Sequence, residues 1–198
     1  ELRRQIRKRL AKLISEGKDK NLNLFLVKSF SPLLKQIEQK YFKKWPLSSR
    51  DTDLSEEKRI LSPSDFGFHN ALLKKNKGLY FLDFDYFGWD DPVKLVSDFY
   101  WHPAMDLTNK QRNYWIEATE KIFMEKDKDF NQRLMASMPF YGLRWILIIL
   151  NEFLDNSLKI RRHVRLSTEY NSNSAKKTQL KKATKLCFSL EKFIKQDS

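Results

Sequence analysis

Cysteine is almost absent from this sequence, because Cys187 is the only one among its 198 residues. A single thiol cannot form a disulfide within the chain, and it cannot supply a cysteine-based zinc site. Such cysteine usage fits a reducing compartment, so we expect a cytoplasmic protein.

Glycine and proline are also scarce, with five and six residues, which argues against a linker or a low-complexity protein. Long apolar runs are missing as well. The strongest one covers residues 145–150, far short of the roughly 20 residues that a membrane span needs. We therefore expect no membrane span, no signal peptide and no membrane partner.

Apolar residues are plentiful, at 41% of the chain, and they include 15 Phe, 7 Tyr and 5 Trp. A chain of this length is one domain or one large lobe, with an aromatic-rich core. Helical spacing of apolar residues or helix-start signals mark five segments: residues 2–16, 31–45, 108–122, 140–154 and 180–194. With one short hairpin besides, the predicted fold is mainly α.

The formal net charge of +13 is unevenly distributed. Residues 1–20 carry eight basic and three acidic side chains, and residues 156–185 carry nine basic and one acidic. Residues 81–106 invert the sign, with six aspartates against one lysine, a net charge of −5. An acidic centre in a basic chain favours a cation site. The basic ends are interpreted as solvated helix faces.

A β-hairpin is predicted where two short apolar runs, residues 71–74 and 79–82, flank the sequence KNKG. A loop of two or four residues would pair residues whose numbers sum to 153, which sets Asn70 opposite Asp83. Side chains opposed in this way have Cβ atoms about 5 Å apart. A loop of three residues would shift this pairing by one residue.

Three oxygen-bearing side chains therefore converge in the prediction: Asp65, Asn70 and Asp83. Asp65 lies five residues before Asn70, in a loop that contains Gly67. Magnesium prefers oxygen ligands and usually keeps several waters, so one Asp, one Asn and the phosphate oxygens of a nucleotide suffice to hold it.

These residues carry a resemblance to a known family. The run DFGFHN, residues 65–70, has the D-x4-N spacing of the kinase catalytic loop. The run FLDFD, residues 81–85, and the later GWDDP and Asp98 resemble the metal-binding strand and following helix of the aminoglycoside phosphotransferase and choline kinase superfamily. The resemblance is dense over residues 60–100 and rests elsewhere on helical character alone.

The resemblance implies the C-terminal lobe of a protein-kinase-like α+β fold and an ATP-dependent enzyme that phosphorylates a hydroxyl group of a small molecule. It makes Asp65 the catalytic base, while Asn70 and Asp83 hold Mg²⁺ against the phosphates of ATP or another nucleoside triphosphate. Asp85 and His69 assist these residues, and Asp98 supports the catalytic loop. Structural roles are favoured for His102 and His163.

The family pattern is incomplete in two places. Pro63 and Ser64 stand where the family usually has His-Gly. No Gly-rich loop or strand lysine precedes residue 60. The resemblance therefore implies that residues 1–198 are a single helical lobe without the nucleotide lobe. We expect this lobe to have little activity by itself. Two alternatives stay open. One is a catalytically inactive relative that acts as a binding module, and the other is a basic helical module that binds nucleic acid. The second is the weaker alternative, because no nucleic-acid motif accompanies the charge.

Overall fold

The computed structural model describes residues 1–47, 52–75, 78–154 and 172–196. Most of these residues are helical, and two short antiparallel β-sheets complete the fold. The predicted fold class, mainly α with a short hairpin, is confirmed at this level. The chain groups into two compact units, residues 1–39 with 142–198 and residues 40–141.

The first unit is built from helices. They are α1 (Leu2–Glu16), α2 (Lys20–Phe25), most of α3 (Ser31–Tyr41), the end of α6 (Phe130–Ile149) and α7 (Ser172–Gln196). Apolar residues at helical spacing form the buried face of the long helices. On α1 these are Ile6 and Leu13, two turns apart, and on α7 they are Ala183, Cys187, Leu190 and Ile194. The Asp19 side chain caps α2 by accepting the backbone N–H groups of Asn21 and Leu22.

Helix α3 begins at Ser31, as predicted, but Ser31 does not cap it. The backbone of Ser31 is already helical, and a π-helical turn, Leu26–Phe30, joins α2 to α3 without a break. Pro32 has no N–H to donate, so a regular helix through this point would lose a hydrogen bond. The wider turn just before it accommodates that loss.

The helix predicted at residues 140–154 begins ten residues earlier in the structure. Helix α6 starts at Phe130 and is followed by a 3-10 turn, Leu150–Phe153. The segment Phe130–Phe153 is long and apolar enough to cross a membrane, yet 72% of its most apolar window is buried inside the structure. A buried core helix of a globular protein passes the same test of length and composition.

The second unit holds both sheets. Strand β1 (Ile60–Ser62) pairs with β4 (Gly88–Asp90), and β2 (Ala71–Lys74) pairs with β3 (Gly78–Phe81). Helices α4 (Pro92–Trp101) and α5 (Asn109–Phe123) follow. A capping box begins α5, since the Thr108 side chain accepts from the backbone of Gln111 and the Gln111 side chain accepts from the backbone of Thr108.

A charged network in this unit connects residues next to strands β1 and β4. The Arg133 guanidinium, 2% exposed, pairs with Asp91 and with Asp127, whose carboxylate also accepts from Lys58 at 2.8 Å. Lys58 lies just before β1, and Asp91 is the cap of α4. The network thereby ties the start of β1 to the end of β4.

Candidate functional site

The loop after β1 turns sharply before it reaches Asp65. Ser64 has a φ of 60°, in the left-handed region, and its N–H donates to the buried Ser62 hydroxyl at 3.2 Å. The Asp65 N–H donates to the Pro63 carbonyl at 2.7 Å. The Lys94 ammonium donates to the Ser64 hydroxyl at 3.1 Å. Pro63 and Ser64, which differ from the family pattern, thus form a turn with hydrogen bonds of its own.

Asn70 is bound directly to Asp65. Its side-chain Nδ2 donates to the Asp65 carbonyl at 2.9 Å and to Asp65 Oδ2 at 3.3 Å. The backbone N–H of Asn70 donates to the Gly67 carbonyl at 3.1 Å and closes the 3-10 turn Phe68–Asn70. Since Nδ2 is used in this way, Oδ1 points elsewhere, and it accepts no hydrogen bond from the described residues.

Two histidine rings support the Asp65 carboxylate. His69 Nε2 lies 3.0 Å from Asp65 Oδ1, and His102 Nε2 lies 3.5 Å from the same oxygen. The two rings are parallel, with centroids 4.0 Å apart. An ionised carboxylate can only accept, so His69 donates from Nε2. Gly67 makes room for this stack, because a Cβ there would lie 2.7 Å from His69 Nδ1.

The tautomer of His102 is set by its other nitrogen. His102 Nδ1 accepts the backbone N–H of Ala104 at 3.2 Å, so the proton of the neutral ring sits on Nε2, facing Asp65. Burial, and then the nearby His69, lower the pKa of His102 to about 4, although Asp65 acts in the opposite direction. The ring is therefore neutral near pH 7.

Protein stability should depend on pH through His102. The unfolded chain takes up a proton near pH 6.5, whereas the folded protein resists protonation until about pH 4. The free energy of unfolding should thus fall by about 1–2 kcal/mol as the pH drops between these values, allowing for solvent screening. Urea unfolding at several pH values measures this change. His102→Gln should show a smaller fall, and an equal fall in both proteins would contradict the assignment.

Asp65, His69 and His102 are close enough to be considered as a metal site, because one ligand atom from each lies within 4.8 Å of the others. The orientation argues against a formed metal centre. A metal needs imidazole lone pairs that converge at about 2.0–2.1 Å, whereas these rings are parallel and His102 Nε2 carries its proton. The group is better described as a hydrogen-bonded carboxylate.

The predicted register of the hairpin is wrong by one residue. Ala71 pairs with Phe81 and Lys74 with Gly78, so the loop has three residues. Gly78 has a φ of +87°, and hairpins with three-residue loops commonly use such a left-handed residue. Asn70 consequently lies opposite Leu82, whose N–H donates to the Asn70 carbonyl at 2.8 Å.

Asp83 follows immediately after this last hydrogen bond of the hairpin. Its φ of 61° is left-handed, a conformation that costs a non-glycine residue about 1–3 kcal/mol and is common at functional sites. The side chain is exposed and makes no hydrogen bond or ion pair with the described residues. The structure thus brings Asp65, His69 and Asn70 together, and Asp83 adjoins them through the backbone.

The other predicted aspartates lie on different elements. Asp85 is exposed in the turn before β4, and Asp98 is buried in α4 with 6% of its surface exposed. Asp91 accepts the Val93 N–H as the cap of α4. His102 was not predicted as a site residue, since nothing in its spacing marks it. His163 lies outside the described residues.

Comparisons with protein-family models, with curated proteins and with solved structures found no match for this chain. The resemblance to the aminoglycoside phosphotransferase and choline kinase superfamily therefore rests on the residues of the site.

Proposed function

We propose that this chain carries the acceptor- and metal-binding side of an ATP-dependent phosphotransferase that acts on a hydroxyl group of a small molecule. The main support is the attachment of Asn70 to Asp65, which holds a base and a neutral oxygen ligand in one short loop. Phosphoryl transfer depends mostly on positioning and on neutralising charge, which a small set of side chains can provide.

The donor set suits Mg²⁺. The Asn70 Oδ1 atom and the Asp83 carboxylate are hard oxygen ligands, and neither has a hydrogen-bond partner among the residues that the structure describes. In this proposal both atoms hold the ion, and the left-handed backbone of Asp83 reorients its side chain relative to the strand. Bound Mg²⁺ would neutralise charge on the phosphate oxygens of the nucleotide.

Asp65 is the proposed base, which orients the acceptor hydroxyl and takes its proton. His69 fixes one carboxylate oxygen at 3.0 Å and Asn70 Nδ2 approaches the other at 3.3 Å. His102, which is neutral near pH 7, lies 3.5 Å from the same carboxylate oxygen as His69 and adds no cation there. A base held in this way loses little entropy when the hydroxyl arrives.

The architecture belongs to the same proposal. Residues 1–198 correspond to a kinase-like helical lobe, and the groups that grip the nucleotide lie outside them. We place the protein in the cytoplasm, with nucleotide and small-molecule acceptor as partners. The isolated chain should therefore bind ATP weakly, even with Mg²⁺.

A binding measurement tests the metal ligands. In the complete protein that contains this chain, Mg²⁺ should strengthen ATP binding, measured by calorimetry, by about tenfold, which corresponds to 1.4 kcal/mol. Asp83→Ala should abolish the strengthening because a charged ligand is lost. Asp53→Ala, an exposed aspartate of the same unit, serves as the control. An unchanged effect of Mg²⁺ in Asp83→Ala would reject Asp83 as a ligand.

A further inference from the structure

The second unit contains a cavity of about 440 Å³ next to the loop that carries Asp65. Six aromatic side chains line it, with Leu107, Lys110 and Gln111: Phe66, Phe68, Phe81, Phe99, Tyr114 and Trp115. Small-molecule sites have volumes of about 300–1,000 Å³ and walls that are mostly apolar, with a few polar groups. The size and lining are those of a ligand site.

The walls of this aromatic pocket are packed against one another. The Phe99 and Trp115 rings stack with centroids 4.1 Å apart, and the Phe66 ring lies 4.6 Å from Phe81. The Trp115 indole N–H donates to the Val96 carbonyl at 3.0 Å, which anchors α5 to α4. The pocket therefore has fixed aromatic faces that suit a flat ring.

The pocket walls are almost entirely apolar, and the polar ends of three exposed residues, Lys110, Gln111 and Tyr114, stand at the rim as hydrogen-bond donors. Within the part of the chain that the structure describes, the Lys110 ammonium has no hydrogen-bond or ion-pair partner. Gln111 Oε1 is occupied by the N–H and hydroxyl of Thr108, which leaves its amide NH₂ as a donor. Tyr114 is 73% exposed and carries a hydroxyl. A cation and two neutral donors favour a ligand with an anionic group.

From this lining we propose that the aromatic pocket binds a small molecule with a planar apolar ring and an anionic group, the ring lying between the aromatic walls and the anion at Lys110. The proposal goes beyond phosphoryl transfer and stands without it. Phe66 and Phe68 alternate with Asp65, Gly67 and His69 along the loop, so an occupant would contact the same six-residue segment that holds the proposed base.

Two probes of matched shape test the pocket: 2-naphthoate, which is planar and anionic, and 2-naphthol, which is neutral at pH 7. Binding to the complete protein is followed by tryptophan fluorescence and calorimetry. A ligand of this size should bind with a Kd of about 1 mM or below. Naphthoate should bind about tenfold more tightly than naphthol if Lys110 pairs with the carboxylate.

Variants locate the binding. Lys110→Glu should weaken naphthoate binding about tenfold or more and change naphthol binding much less. Lys121→Glu makes the same charge change on the same helix, away from the pocket, and should have little effect. Leu107→Trp should block both probes by filling the cavity. Tyr114→Ala should weaken the binding of both probes by removing one aromatic wall, at an exposed position where the change carries little risk to folding.

Each outcome decides the proposal. Selective binding of naphthoate that is lost in Lys110→Glu but kept in Lys121→Glu supports it. Absence of binding, equal affinity for the two probes, or equal loss in both lysine variants overturns it. Because none of these measurements uses ATP, failure here leaves the phosphotransferase proposal to its own tests.

Discussion

Replacing Asp65 with asparagine is expected to lower the rate of ATP turnover by the complete protein by about 10²- to 10⁴-fold, the range typical of a lost general base. Asparagine has nearly the shape of aspartate and can still accept a hydrogen bond from His69. It cannot accept a proton from a hydroxyl, however, so the chemistry should fail while the loop stays folded.

The kinetic pattern separates this role from metal binding. Asp65 contacts Asn70 but is not one of the proposed Mg²⁺ ligands, so kcat should fall while the KM for ATP changes little. Slow ATP hydrolysis, with water as the acceptor, provides an assay that does not require the natural acceptor. Asp53→Asn is the matched control. Near-normal turnover in Asp65→Asn would exclude Asp65 as the base.

The same assay addresses the catalytically inactive alternative. Pro63 and Ser64 motivate that alternative, yet they build a hydrogen-bonded turn that leads directly into Asp65. If the complete wild-type protein hydrolyses no ATP and transfers phosphate to no hydroxyl acceptor, the inactive relative becomes the better hypothesis.

The largest effect on stability is expected from Asp127→Asn. Asp127 is 2% exposed and accepts from Arg133 at 2.5 Å and from Lys58 at 2.8 Å. Neutralising it leaves the buried Arg133 with Asp91 as its remaining carboxylate partner in this network. Breaking a buried ion pair in this way costs about 3–5 kcal/mol. Urea unfolding of the second unit at pH 7 measures the change.

The destabilisation caused by Asp127→Asn should depend on pH, and removing Arg133 should not relieve it. Burial opposes ionisation of Asp127, but hydrogen bonds from Lys58 and Arg133 outweigh it and lower its pKa. A lowered pKa means stability that is present at neutral pH and lost as the pH falls through the folded pKa, so the difference from wild type should shrink in acid. Adding Arg133→Met should give no recovery, because it leaves the Asp91 carboxylate without its cation.

A control defines the specificity of this result. Glu117→Gln changes an exposed carboxylate of α5 and should alter the free energy of unfolding by about 0.5 kcal/mol or less. If Asp127→Asn behaves like Glu117→Gln, the buried network contributes little to the stability of the second unit.

Features with a local signal were predictable from sequence. Helices α1 and α7 follow from apolar spacing along a single segment, and the start of α5 follows from Thr108 and Gln111, three residues apart. The short separation of Asp65 and Asn70 placed them in one loop, and the structure joins them by hydrogen bonds. Each of these inferences needs only residues that are close in the chain.

Features that depend on distant residues were not predictable. His102 reaches Asp65 across 37 positions, with no spacing that marks the pair. Strands β1 and β4 have three residues each, too few for an alternating pattern to show, and they pair across a long separation. The hairpin register depended on whether the loop has two, three or four residues, and the sequence KNKG is compatible with each.

The phosphotransferase proposal depends most on Asn70 and Asp83, which, with the phosphates of ATP, would be the ligands of one divalent ion. Mn²⁺ can replace Mg²⁺ and broadens the NMR signals of nuclei near it, so the complete, isotope-labelled protein should be titrated with small amounts of MnATP. We expect the strongest broadening at the Asn70 side-chain amide and the Asp83 backbone amide, and we expect it to disappear in Asp83→Ala. Broadening confined to the rings of His69 and His102, with Asn70 and Asp83 unaffected, would contradict the proposal.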